Sequence, residues 1–210
     1  MRISAIVLAA GRSTRMGTNK LLLELEGETL VERIVDVLLR CRLDRITVVT
    51  GFESERIRER LKRREVDLAH NPRFHEGMAT SIRVGLRQIG PDTGAVLIAL
   101  ADHPLLTPEL VDRLIEAYRR SDKGIVCPRF RGKRGHPVIF DLARYREALV
   151  RLEGDIGGRE VVEAHRDDLL EFDVDSPAVI RDIDSLEDYE ECRRLLGRQA
   201  EREGREKDKG

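Results

Sequence analysis

The chain predicts an α/β protein built on a mainly parallel sheet. Short, nearly continuous apolar runs recur at residues 3–9, 46–50 and 95–101, the pattern of strands buried on both faces. Between them lie stretches with the 3.6-residue apolar repeat of amphipathic helices. The two kinds alternate along most of the 210 residues, which predicts crossover units and a parallel sheet.

Each element has a local reason. The first strand, residues 3–9, gives way to a polar loop holding Gly11 and Gly17. Thr29 is placed as the N-cap of a helix with apolar positions Leu30, Ile34, Val35, Leu38 and Leu39, and Glu32 completes a capping box. A second strand, 46–50, ends at Gly51; Ser54 then caps a charged helix to about Arg64, and 66–69 form a short third strand. Asn71 and Pro72 start a polar loop before a helix over 80–88. The apolar strand 95–101 ends at Asp102, and Thr107-Pro108-Glu109 opens a helix with Pro at its first position. Strands follow at 124–127 and 138–140, helices near 142–152 and 157–165, and a strand at 170–174. Ser185 caps a closing helix to Leu196, with Asp188 in its first turn. Residues 1–196 are expected to form a single domain. Residues 197–210 carry one alanine and no larger apolar residue, and are expected to be a disordered polar tail.

Charged residues make up 37% of the chain, yet 38 Lys and Arg nearly balance 39 Asp and Glu, so no bulk charge argues for nucleic acid or a membrane as partner. Cys41, Cys127 and Cys192 are scattered and form no metal-type pair, which suits reduced thiols in the cytoplasm. No apolar run approaches the roughly 20 residues that span a bilayer. The N-terminal apolar run is short and ends in a glycine turn, so it is assigned as a strand and not a signal peptide.

The loop after strand one carries the chemistry. Leu8, Ala9, Ala10, Gly11, Arg12 and Ser13 lie at the carboxyl end of a buried strand, where open α/β sheets bind ligands. A glycine there lets backbone N–H groups approach phosphate oxygens, and Arg15 and Lys20 add the cations that a polyphosphate needs. Neither a dinucleotide fingerprint nor a Walker loop is present. Taken alone, the segment could equally be a basic surface turn.

Its wording resembles more. Leu-Ala-Ala-Gly-x-Ser-x-Arg-Met-Gly-x-x-Lys, residues 8–20, resembles the signature of the nucleotidyltransferase superfamily that activates sugars and cofactors. Within it, the likeness is to the molybdenum cofactor cytidylyltransferase family. The related guanylyltransferases typically carry a second glycine where this chain has Ala10. The resemblance implies a Rossmann-like three-layer α/β/α nucleotidyltransferase fold with a mainly parallel, twisted sheet. Asn71-Pro72 and the run from Glu76 to Ser81 resemble the family's second block, in which Thr80 and Ser81 would face the nucleotide; capping a helix would suit them equally. Asp102-His103-Pro104 resembles the Asp-x-Pro setting of the family's metal-binding aspartate, with His103 where Met is usual. Gly135-His136-Pro137 and residues 154–159 resemble blocks in the half that faces the acceptor, which makes His136, Asp155 and Arg159 candidates for acceptor binding. His136 would hold a phosphate or transfer a proton, or be structural. Residues 181–189 resemble the family ending, with Leu186 in place of Pro; Asp184 is a candidate second metal ligand, Asp182 a weaker one, and capping of the last helix is the competing role for Asp184.

The resemblance therefore implies a cytoplasmic, Mg²⁺-dependent enzyme that passes CMP from CTP to a molybdopterin-type acceptor. Arg15, Lys20 and Asp102 would be catalytic, and Asp102 and Asp184 would hold the metal. A molybdoenzyme or its chaperone would be a protein partner. Two alternatives stand beside it: a guanylyl- or sugar-phosphate nucleotidyltransferase, and a nucleotide-binding accessory protein without turnover.

Overall fold

The computed structural model describes residues 1–12 and 17–207, with side chains as far as residue 197. Ten strands and seven helices follow in the order β1 (Arg2–Ala9), β2 (Glu24–Leu25), β3 (Glu28–Thr29), α1 (Leu30–Leu39), β4 (Arg45–Thr50), α2 (Ser54–Leu61), β5 (Asp67–His70), α3 (Met78–Gln88), β6 (Thr93–Leu100), α4 (Pro108–Arg120), β7 (Ile125–Phe130), β8 (Lys133–Arg134), β9 (Val138–Asp141), α5 (Leu142–Arg151), α6 (Arg159–Ala164), β10 (Leu169–Asp173) and α7 (Leu186–Lys207).

The central sheet runs β10-β7-β9-β6-β1-β4-β5, with β8 paired to β7. Strands β5, β4, β1 and β6 are mutually parallel. Strand β9 runs antiparallel between β6 and β7, and β10 is parallel to β7. Along β1 and β6 successive side chains enter opposite cores, as the two-residue strand period requires. Ile3, Ala5 and Val7 with Ala95, Leu97 and Ala99 pack against α1, α2, α4 and α7. Ile6 with Val96 and Ile98 packs against α3 and α5. This is the three-layer, Rossmann-like arrangement. No described helix is long and apolar enough to cross a membrane.

Local chemistry explains the boundaries. Thr29 caps α1, and Glu32 closes the capping box by accepting from the Thr29 backbone N–H at 2.9 Å. Thr107 accepts from Leu110 N–H, with Pro108 opening α4. Ser185 accepts from Asp188 N–H at 3.1 Å, and the Asp188 carboxylate takes the Ser185 N–H at 2.8 Å.

Several expectations need correction. Ser54 is the first residue of α2, not its cap; its hydroxyl bonds Thr50 Oγ1 at 2.7 Å, and left-handed Glu53 makes the turn. That helix stops at Leu61. The β2–β3 hairpin is too short to show a period in sequence. The backbone of α7 runs to Lys207, and over residues 198–207 its Arg, Glu, Gln and Lys are good helix formers.

Candidate active site

The carboxyl ends of β1 and β6 lie side by side, with Leu8 opposite Leu100. The chain after β1 and the chain after β6 therefore leave the sheet at one place. Ala101 N–H bonds the Leu8 carbonyl at 3.2 Å and fixes the start of the second loop. Leu8 is half-buried and Ala9 and Ala10 are buried, so their side chains pack the fold and their backbone reaches the edge. Ala10 is also anchored, since its carbonyl accepts from Phe52 N–H. Gly51 must be small there, because a Cβ would come within 2.7 Å of Phe74 and 2.8 Å of the Ala10 oxygen. At Gly11 a Cβ would meet no described atom within 4 Å. Among the described residues no packing contact calls for a glycine there, and the open space suits a ligand. Arg12 is exposed, with its guanidinium 5.3 Å from the Phe74 ring centre. Ser13 and Arg15 lie outside the described residues.

Lys20 begins a single 3-10 turn, residues 20–22. Asn19, to which spacing alone gives no role, is buried and caps that turn by accepting from Leu21 N–H at 3.1 Å. The turn aims the lysine inward. Its Nζ lies 2.7 Å from Asp102 Oδ2 and 2.8 Å from Asp184 Oδ1. Asp184 arrives from the distant C-terminal segment because Ile183 N–H bonds the Asp102 carbonyl at 3.1 Å. Asp182 joins them: one carboxylate oxygen from each of Asp102, Asp182 and Asp184 lies within 4.8 Å of the others. Asp102 Oδ1 is buried and has no described hydrogen-bond partner. Burial works against the Lys20 charge, but Asp102 first and Asp184 second outweigh it and hold its pKa above the ordinary lysine value.

Thr80 and Ser81 are buried, on the third and fourth residues of α3. Neither caps the helix. The Asn71 amide donates to Thr80 Oγ1 at 2.8 Å and Ser81 Oγ at 2.9 Å, while its oxygen accepts from Arg73 N–H. Asn71 is thus a buried hub that spacing alone could not show. The N-terminus of α3 is capped from the other half of the chain. Asp155 Oδ1 accepts from Met78 N–H at 3.0 Å, and the Gly154 carbonyl accepts from Ala79 N–H at 3.1 Å. Gly77 allows this with φ +109°; a Cβ there would sit 2.3 Å from the Gly154 oxygen. Asp155 is therefore occupied by the helix.

A cavity of about 730 Å³ opens beside Leu100, between β6, β9, α6 and the β7–β8 hairpin. Its floor includes Ile98, Val138 and Phe140, and its rim carries Lys133, His136 and Arg159. His136 and Arg159 are thus together, and Asp155 does not line the space. Burial, helped by neighbouring His103, pushes the His136 pKa down to about 4. The ring is neutral at pH 7, and a neutral imidazole still carries one N–H that can donate to a phosphate oxygen. His103 is buried, packed edge-on against His136 with ring centres 5.6 Å apart.

Comparison with known proteins places this arrangement. Molybdenum cofactor cytidylyltransferase of Escherichia coli K12 is 26% identical over 189 residues, which cover 89% of this chain and 93% of that protein. Probable molybdenum cofactor guanylyltransferase of Pyrococcus horikoshii is 29% identical over 158 residues, 71% of this chain and 74% of the relative. The bifunctional protein GlmU of Symbiobacterium thermophilum is 37% identical over 122 residues, 57% of this chain; the match spans only 26% of that longer protein. The crystal structure of Rv0371c from Mycobacterium tuberculosis H37Rv superposes with a TM-score of 0.82 at 30% identity, covering 94% of this chain and 98% of that one. A manganese complex of the same protein gives 0.76 at 27% identity, covering 91% and 97%. The family model for the MobA-like NTP transferase domain matches residues 5–169. With that model spanning most of the chain, the protein belongs to the MobA-like NTP transferase family and is a nucleotidyltransferase.

Proposed function

We propose that the protein transfers CMP from CTP to a molybdopterin-type phosphorylated acceptor and releases pyrophosphate. The observation that carries this reading is the meeting of Lys20, Asp102 and Asp184 on the side of the sheet where the chain leaves β1 and β6. An acceptor phosphate oxygen forms the new bond to the α-phosphorus as the bond to the β-phosphate oxygen breaks. That phosphate is largely ionised at neutral pH, since its second pKa lies near 6, so no general base is required. Positioning and charge supply the rate. The backbone of residues 8–13 would cradle the polyphosphate, and Arg15 and Lys20 would offset charge on the leaving pyrophosphate. Thr80, Ser81 and Asn71 hold the start of α3 in place beside the nucleotide. Arg159 and Lys133 are two of the cations that line the cavity and could meet an acceptor phosphate.

The residues fit a hard divalent cation. Three carboxylates converge, and Asp102 Oδ1 is buried without a partner, as an oxygen kept for a metal would be. Asp102 and Asp184 would hold Mg²⁺, with Asp182 the third oxygen source. Bound there, the ion would neutralise and align phosphate oxygens. The manganese complex of Rv0371c supports a divalent metal in a similar fold.

CTP is preferred on two grounds. Ala10 stands where guanylyltransferases typically carry glycine, and the cytidylyltransferase match covers more of both chains than the guanylyltransferase match. Pyrophosphate release with CTP, GTP, ATP and UTP, each with and without a molybdopterin source, tests the proposal. Release only with CTP plus molybdopterin is expected. Release with GTP in preference to CTP would move the assignment to the guanylyl branch, and binding without release would make the chain an accessory protein.

A further inference from the structure

We infer that Lys20 makes the carboxylate site select a metal–nucleotide complex over the free metal ion. The inference rests on the metal reading above and concerns the order of binding. Without nucleotide, the Lys20 ammonium is a cation of the site among the described residues, bonded to Asp102 Oδ2 and Asp184 Oδ1 at 2.7 and 2.8 Å. Its side chain is 13% exposed and that of Asp102 18%, so water screens the group only partly. A divalent ion that takes oxygens of the same carboxylates is brought close to a buried positive charge. Carboxylate charge already used by the ammonium attracts it less, and the ammonium repels it.

The nucleotide changes this balance. Lys20 leaves the polyphosphate loop by a four-carbon stem from a capped turn, so the amine can turn to a phosphate oxygen while Asn19 keeps the turn fixed. The polyphosphate then gives Lys20 a new anionic partner, supplies further oxygen ligands to the metal and releases the carboxylates to it. Lys20 faces anions in both states: the Asp102 and Asp184 carboxylates without nucleotide, phosphate oxygens with it. Asp102 Oδ1 fits the same account, because it is the oxygen of the pair that Lys20 leaves unpartnered. Lysine suits this exchange better than arginine, whose planar fork would hold both carboxylate oxygens together.

Mn²⁺ binding measured by electron paramagnetic resonance at pH 7.5 tests the inference, without nucleotide and then with a non-hydrolysable CTP analogue. Wild type should bind free Mn²⁺ weakly. Lys20→Met, which keeps the stem and removes the charge, should bind free Mn²⁺ at least about tenfold tighter, as expected when a nearby like charge is removed. The same variant should bind Mn²⁺ with the CTP analogue less tightly than wild type. Lys20→Arg, which retains the charge, should stay weak for the free ion and controls for disturbance of the fold. Adding Asp102→Asn to Lys20→Met should abolish the gain and so locate the ion. Equal free-ion affinity in wild type and Lys20→Met, with normal Mn²⁺–nucleotide binding by wild type, would overturn this inference alone. Absence of Mn²⁺ binding in every form, with or without nucleotide, would overturn the metal reading as well.

Discussion

Two clusters in this protein share one plan and differ in how they finish it. On the flank of α1, Arg64 bridges Glu32 and Asp36; at the sheet edge, Lys20 bridges Asp102 and Asp184. The central cations are similarly shielded, with side chains 18% and 13% exposed. Around Arg64 the bonding is closed. Arg64 grips both Asp36 oxygens, at 2.7 and 2.6 Å, and one Glu32 oxygen, while the other Glu32 oxygen serves the Thr29 cap. Around Lys20 it is open. A lysine stands where a fork would fit, Asp182 adds a third carboxylate, and Asp102 Oδ1 is buried without a described partner. A closed cluster holds elements together, whereas an open one keeps binding capacity that the fold does not use.

The comparison breaks most visibly in kinetics. Lys20→Met should lower the rate of pyrophosphate release by about 10²-fold or more, the scale of losing one preorganised charge-stabilising donor, and should also lower the melting temperature because it strands Asp102 and Asp184. Arg64→Met should touch stability alone. It should leave steady-state kinetics unchanged and cost about 2–3 kcal/mol in a urea melt, since it strands two partly buried carboxylates. A change in turnover from Arg64→Met would erase the distinction.

Acidification sharpens it further. His136, beside the open cluster, has its pKa lowered from near 6.5 to about 4. Between those values the unfolded chain binds more protons than the folded one, so stability rises with pH through the window and is lost as pH falls from 6.5 towards 4. The stability at stake is about 2 kcal/mol once partial exposure is allowed for. His136→Asn should flatten the melting temperature against pH there; an unchanged slope would mean the ring is not held neutral. Glu32, in the closed cluster, faces a burial cost that the Thr29 bonds and Arg64 overcome, and its pKa is lowered. Its contribution is present above the ordinary carboxylate pKa and fades below it, a separate and more acidic window. The smallest effect should come from Asp155→Ala. Loss of the α3 cap should cost about 1 kcal/mol, read by the same melt.

Much of the fold was legible because its signals are local. The Thr29 and Thr107 caps and the apolar runs of β1, β4 and β6 follow from residues within one turn or one strand. Strand direction is not local, and nothing in Val138–Asp141 says that it runs against its neighbours. The candidate site was legible only in part. Asp102 stands just past the end of a buried strand, where position is informative, and Lys20 closes the loop that follows another. Asp184 reached the site through a backbone bond from Ile183 to Asp102, and Asp155 turned out to cap a helix 77 residues earlier in the chain. Such roles depend on contacts between segments that spacing does not record. Arg15 and Ser13 remain assigned from the loop's resemblance, as they lie outside the described residues.

On the proposed function, the Asp102 carboxylate beside Lys20 is a metal ligand of the transfer site. A Mg²⁺ titration of pyrophosphate release, wild type against Asp102→Asn, addresses this directly. Half-maximal rate in the variant should require at least about tenfold more Mg²⁺, as loss of a carboxylate ligand should impose. Overlaid titration curves would contradict it.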